Sequence, residues 1–164
     1  MIGYFLKNPN ASTIEDTRNG PEKAIDGDLG TFFSSISEME PWLKVEIYKP
    51  SIVHKVTIIP PGNQSDSPER RKELDGVQVF IGPKEYPKGM YISSDMPSDE
   101  LCGIITVTME DPTLLNGPQE FIILCENPIK AQYVILRGPM QRATRISVSV
   151  LHVEGPTGYL IHDN

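Results

Sequence analysis

The sequence predicts an all-β domain, a jelly roll or sandwich of short antiparallel strands, and three observations point there. Apolar and polar residues alternate with a period of two along several runs, fifteen prolines and thirteen glycines fall mostly between those runs, and no stretch carries a sustained 3.6-residue apolar stripe. Seven or eight short strands punctuated by turns are the pattern of a two-sheet fold.

The clearest strand is Trp42 to Tyr48, which sets Leu43, Val45 and Ile47 on one side and Lys44 and Glu46 on the other. After a Lys49-Pro50-Ser51 break, Ile52 to Ile59 is a second strand, in which His54 shares parity with Ile52, Val56 and Ile58 and reads as a core or sheet-face residue. Further strands are predicted over Gly76 to Ile81, Ile104 to Met109, Glu120 to Cys125, Gln132 to Arg137 and Arg145 to Val153. In the last, Ile146, Val148 and Val150 point one way while Ser147 and Ser149 point the other. Pro60-Pro61-Gly62, Gly82-Pro83, Asn116-Gly117-Pro118 and Gly138-Pro139 open or close these runs. Helix is limited to one short turn near Pro21 to Ala24. With no repeat and no low-complexity linker, the chain reads as one domain over residues 1–158 and a loose tail over 159–164.

A chain of 164 residues can bury a real core. Its net charge of −7 opposes a nucleic-acid partner, because a phosphate backbone is bound by a basic face. The same acidity disfavours anionic membrane lipid, and no apolar run approaches the roughly 20 residues of a membrane-spanning helix. The opening Met1 to Leu6 is too short and lacks the basic flank of a secretory signal, which fits either a signal already removed or an intracellular protein. Cys102 and Cys125 lack the close spacing of a metal or redox motif. They are either one bridge, which would add about 3 kcal/mol in the chain-entropy model, or two buried thiols.

Catalytic signatures are missing: there is no G-x-S-x-G elbow and no glycine-rich phosphate loop. His54 belongs to a strand and His162 to the tail, leaving His152 as the third histidine. Glu38/Glu40 and Asp95/Asp99 are acidic pairs of the kind that surface loops of any acidic protein offer. The expectation is a non-enzyme. Two N-glycosylation tripeptides, Asn10-Ala11-Ser12 and Asn63-Gln64-Ser65, fit a secreted glycoprotein.

The most specific stretch is Ala24-Ile25-Asp26-Gly27-Asp28-Leu29-Gly30-Thr31-Phe32-Phe33-Ser34-Ser35, followed seven residues on by Trp42-Leu43-Lys44-Val45-Glu46-Ile47. Asp-Gly-Asp makes a tight turn whose carboxylates and carbonyls converge, with the Thr31 and Ser34 hydroxyls close by. Such an all-oxygen set suits calcium before magnesium, although the spacing is not that of an EF-hand. Asp26 acting only as a turn cap, accepting from nearby backbone amides, accounts equally well for the same residues.

"AIDGDLGTFFSS" followed by "PWLKVEI" resembles the opening of discoidin or coagulation-factor type C domains and of fucolectins, within the galactose-binding-domain-like family. The resemblance runs on through "VHKVTII", "ELDGVQVFIG" and "QYVILRG…RISVSVLHVEG", from about Asn8 to Gly155, and the pair Cys102 and Cys125 with Tyr133-Val134 is similar to the fucolectin branch. It implies an eight-stranded jelly-roll β-sandwich, a Cys102–Cys125 disulfide, and a structural calcium held by Asp26, by the carbonyls of Lys23 and Asp28, and by Thr31 or Ser34. The acidic ligand that the family's closing strand usually adds is replaced here by Val150, with Glu154 able to substitute only through a register slip. The fucolectin sugar triad of one histidine and two arginines is not kept: residues 34–41 hold no histidine, and Glu73 stands where an arginine is expected.

The function expected is therefore an extracellular recognition module for a glycan or glycoprotein, without fucose specificity. Candidate loops are Gly62 to Lys72, Ser34 to Glu40 and Gly138 to Arg145, with Arg70, Arg71, Arg142 and Arg145 as forked donors. The alternative is a protein-interaction or adhesion domain, using Met39, Met90, Tyr91 and Met140 as an apolar contact patch.

Overall fold

The computed structural model describes residues 1–83, 100–107 and 120–156. Two long strands organise it: β5 (Trp42–Ile59) and β8 (Phe121–Arg137) lie antiparallel, side by side, for most of their length. Sequence alternation divides each of them in two, whereas the structure keeps each continuous and irregular. The β5–β8 register shifts between Glu46 and Ser51 and again between Val53 and Lys55. Pro50 and Pro128, which have no N–H to give to a ladder, fall in these unpaired stretches.

Each long strand serves two sets of neighbours. The first half of β5 pairs with β2 (Leu6–Ala11) and with Tyr133–Arg137 of β8, beyond which lie β6 (Gln78–Gly82) and β7 (Leu101–Ile104). Its second half pairs with β11 (Val150–Gly155), which carries β1 (Ile2–Gly3) on its far edge. The short pairs β3 (Phe33–Ser34) with β10 (Ser147–Val148), and β4 (Glu38–Met39) with β9 (Ala143–Thr144), close one end.

The two halves pack through a single apolar cluster. Leu43, Val45, Ile47, Val79, Ile81, Val134 and Leu136 from one meet Val53, Val56, Ile58, Leu151 and Val153 from the other. All ladders among the described residues are antiparallel, and the fold is the all-β sandwich that the sequence predicts. The disulfide is present: Cys102 on β7 is bonded to Cys125 on β8, with Cα atoms 4.1 Å apart, and ties one half to the other.

Four details differ from the sequence expectation. The register shift after Val53 brings Val53 and Val56 both inward, so His54 loses core parity with Val56 and Ile58 and takes the sheet-face alternative, half-buried on β5. The alternation over 145–153 does not separate core from solvent, because Ser147 and Ser149 are as buried as Ile146 and Val148. The strand expected from Ile104 to Met109 is β7, which begins earlier and ends at Ile104; Ile105 is buried and bonds Val77 outside the ladder, and Met109 lies outside the described residues. Finally, Ser67–Lys72 forms a short helix, α1, where a loop is expected. Six residues are too few to show a stripe, but Pro68 in the first turn and Arg70, Arg71 and Lys72 in the last suit helix ends. The helical turn near Pro21 is present as a 3-10 helix over Pro21–Ala24. The 159–164 tail, the Asn116-Gly117-Pro118 turn, the Asp95/Asp99 pair and His162 lie outside the described residues.

Candidate functional site

Two of the four singled-out arginines meet beside the short strand pairs β3/β10 and β4/β9. Arg70 projects from α1 and is 6% exposed. Its Nε donates to Asp66 Oδ1 at 2.9 Å and its Nη2 to Glu15 Oε1 at 2.9 Å, while its Nη1 reaches both Ser34 Oγ and Ser147 Oγ at 3.0 Å. The guanidinium also lies 4.8 Å from the centre of the Phe32 ring. Arg145, next to β9, bonds the other oxygen of Glu15 at 2.9 Å and both oxygens of Glu73 at 2.6–3.1 Å. Glu73, standing where the family resemblance leads one to expect an arginine, is thus the main partner of one supplied by another loop.

This cluster has a charge logic. Three carboxylates enclose two guanidiniums whose planar forks match them. Burial pushes the Glu15 carboxyl up, but hydrogen bonds from Arg70 and Arg145 outweigh it and leave its pKa below the usual range. Asp66 is lowered too, first by its bond from Arg70. The Arg145 pKa is raised, first by its bond to Glu73. Four of the five N–H donors of Arg70 are already engaged, so the cluster ties residues 15, 34, 66, 73 and 147 together and leaves Arg70 little to offer a ligand.

Arg71 and Arg142 stand apart. Arg71 is 5% exposed, burial lowers its pKa, and among the described residues no hydrogen bond or ion pair reaches its side chain. Arg142 is exposed and donates to the carbonyl of Asp75.

The Asp-Gly-Asp turn brings Asp26, Asp28 and Thr31 together. Asp26 Oδ1 accepts from the Asp28 amide at 3.0 Å and its Oδ2 from the Thr31 hydroxyl at 2.5 Å. Asp28 Oδ1 accepts from the Gly30 amide at 2.8 Å, and Gly27 supplies the positive φ of +73° that the turn requires. Lys23 precedes the turn at the end of its 3-10 helix. Ser34 is not part of this group, since its buried hydroxyl faces Arg70 and Ser147. Val150 lines the same groove as Gly27, so the closing strand presents a methyl-bearing side chain there. Both carboxylate oxygens of Asp26 accept hydrogen bonds within the turn, and the Asp28 carbonyl accepts from Thr31. Among the described residues there is no group of three or more histidine, cysteine or acidic side chains placed to hold a metal.

Beside the turn runs a groove of about 390 Å³ lined by Arg18, Asn19, Lys23, Gly30, Thr31, Phe32 and Gln64. A second groove of about 240 Å³ adjoins it at Gly30, lined by Leu29, Pro60, Gly62 and Asn63. Sequence reasoning missed Arg18 and Asn19, reached Gln64 only as part of the Gly62 to Lys72 loop, and reached Lys23 only as a carbonyl donor. Arg18 and Asn19 belong to no recognisable motif, and only folding brings the 17–24 and 60–66 segments to one groove. Of the proposed contact patch, Met39 and Met140 are exposed, and Met90 and Tyr91 lie outside the described residues.

No protein-family model matches the sequence, and no curated protein matches it. Solved structures do match. A fucolectin from striped bass (Morone saxatilis) serum superposes with a TM-score of 0.70 at 23% identity over 96% of this chain, which spans about half (52%) of that lectin. A module of Clostridium perfringens, solved with GalNAc-β-1,3-galactose, gives 0.66 at 12% identity over 94% of this chain and 100% of that one. The lectin domain of lectinolysin, as a His 62 mutant with Lewis b, gives 0.63 at 16% identity, covering 90% of each. Identities this low carry architecture and not ligand, and the architecture is unambiguous: this chain has the galactose-binding-domain-like β-sandwich fold.

Proposed function

We propose that the protein is a non-catalytic recognition module that binds a glycan in the polar groove beside the Asp26 turn. The observation that carries this reading is the groove itself. At about 390 Å³ it falls within the usual range of ligand sites, roughly 300–1,000 Å³. Its banks offer an amide on Gln64, an amine on Lys23, a guanidinium on Arg18 and a hydroxyl on Thr31, the donors and acceptors that fix sugar hydroxyls. The Phe32 ring does not act as a stacking platform, because Arg70 lies over it. Arg70 and Arg145 support the groove from behind and do not contact the sugar.

The test is a glycan array followed by calorimetry on any sugar retained. Lys23→Ala and Gln64→Ala should each weaken binding about tenfold, the equivalent of roughly 1.4 kcal/mol for a lost polar contact, with Arg142→Ala unchanged. Retention that neither variant affects would remove the groove from the reading.

An extracellular setting belongs to the same proposal, supported by the Cys102–Cys125 bridge. So does a calcium ion at the turn, which would brace the groove wall carrying Gly30 and Thr31. With a single carboxylate and two carbonyls, binding should be weak, with Kd roughly 10⁻⁴–10⁻³ M as in extracellular modules. Calcium should raise the melting temperature of the wild type and leave that of Asp26→Ala unmoved. No effect on the wild type would make Asp26 a turn cap only.

A protein-contact reading has its own observation. Phe5 and Tyr48, 85% and 68% exposed, flank an apolar groove of about 220 Å³ lined also by Ile2, Tyr4 and Ile47. Absence of any retained glycan would favour it.

A further inference from the structure

We propose that Asn63 is an N-glycosylation site whose attached oligosaccharide lies across the groove between Leu29 and Pro60. Two tripeptides of the acceptor pattern exist, and the fold treats them differently. Asn63-Gln64-Ser65 lies on the 60–66 loop, with all three residues open to solvent. Asn63 Oδ1 accepts from the Gln64 side-chain amide at 3.2 Å, while among the described residues Nδ2, the atom that must react, and the Ser65 hydroxyl have no hydrogen-bond partner.

Asn10-Ala11-Ser12 runs along β2 and its end, with Asn10 paired to Lys44 and Ala11 to Leu43. Its Ser12 hydroxyl donates to Glu38 at 2.8 Å and accepts from the Trp42 amide at 3.0 Å. The transferase needs the acceptor amide and the hydroxyl two residues on to be free together. In the folded chain only the Asn63 tripeptide meets that need, whereas Asn10 is available only before β2 pairs with β5.

The reaction balances without any redox partner. Asn63 Nδ2 attacks the anomeric carbon of an oligosaccharide carried on a lipid diphosphate. The new C–N bond forms as the bond from that carbon to the diphosphate oxygen breaks, the lipid diphosphate leaves, and the amide gives up one proton. The compartment where this occurs is also one where disulfides form, and the Cys102–Cys125 bridge is consistent with it.

Placement gives the modification a consequence. Asn63 walls the smaller groove, whose other lining is the exposed Leu29 with Gly30, Pro60 and Gly62, an apolar surface that the carbon face of a first sugar can cover. Its neighbour Gln64 walls the larger groove. A glycan on Asn63 therefore stands at the mouth of the proposed sugar site and restricts access to it, a consequence that rests on the glycan-binding reading.

The experiment is secretion of the full chain from animal cells, followed by enzymatic release of N-glycans and peptide mass spectrometry. Asn63 should be converted to Asp on release in most molecules, with Asn10 converted in a minority; Asn63→Gln should abolish most of the released glycan while keeping the wild-type melting temperature. An unmodified Asn63, or a glycan confined to Asn10, overturns the proposal. Glycan-array binding of the released and unreleased protein reports separately. Modification at Asn63 with no array binding by either form leaves the site assignment standing and sinks the glycan-binding reading instead.

Discussion

Arg70→Ala should destabilise the domain by about 3 kcal/mol, the lower end of what removing one partner of a buried ion pair costs. Arg70 is nearly fully buried, and its loss leaves Glu15 and Asp66 with Arg145 alone as their shared cation and the Ser34 and Ser147 hydroxyls without their shared donor. The lower end applies because the Glu15 and Asp66 side chains retain 29% and 39% exposure, so water recovers part of the loss. Arg70→Lys should fall between the two, since an ammonium keeps the charge but cannot span four partners at fixed angles. Urea denaturation measures the difference directly. The loss should also depend on pH in a stated direction. The folded-state pKa values of Glu15 and Asp66 are depressed, so their contribution is complete above their unfolded values, near 4, and fades as pH falls through the folded ones. The stability gap between wild type and Arg70→Ala should therefore narrow on acidification below about pH 4. A constant difference down to low pH would show that packing against Phe32, and not the ion pairs, is what Arg70 contributes.

Reduction of the Cys102–Cys125 bridge should cost about 3.5 kcal/mol, from the entropy of a loop closed across a separation of 23 residues. The effect should exceed that of an ordinary loop crosslink in one respect. The bridge joins β7 to β8 directly, and β7 is otherwise paired only to β6, so its loss frees the outer strand of one half from the other. Cys102→Ala/Cys125→Ala is the cleaner variant, as both sites are buried and accept a small apolar side chain. Equilibrium unfolding with and without reductant reads the loss. Equal stability of oxidised and reduced protein would mean that the native contacts of β7 already hold it in place.

The comparison of sequence with structure turns on what local chemistry can encode. Alternation at Leu43, Val45 and Ile47 fixed a buried strand face, because a period of two has one physical meaning when one side meets a core. The same rule failed at His54, where a register shift changes parity by one residue, at Ser147, which is buried against Arg70, and at Ser149, which is buried with its amide bonded to the Ile59 carbonyl. β2, reading Leu6-Lys7-Asn8-Pro9-Asn10-Ala11, carries too little apolar character to be seen as a strand, yet the free edge of β5 recruits it. For the four arginines singled out as candidates, the sequence offers no way to tell ligand from brace. Glu15, more than fifty residues before Arg70, converts two of them into braces, and nothing in its own neighbourhood announces that.

By itself, then, the sequence determined the all-β class, the position of the Asp26 turn and the identity of the only two cysteines, all of which follow from periodicity, turn chemistry or composition. The tertiary structure alone decided that Arg70 and Arg145 are consumed by Glu15, Asp66 and Glu73, that Ser34 leaves the turn for Arg70, and that Lys23 and Gln64 line one groove. The reason is range. Strand parity and turns are set by residues a few positions apart, while the charge balance of a loop end and the shape of a groove depend on segments that only the closed sandwich brings within hydrogen-bond reach.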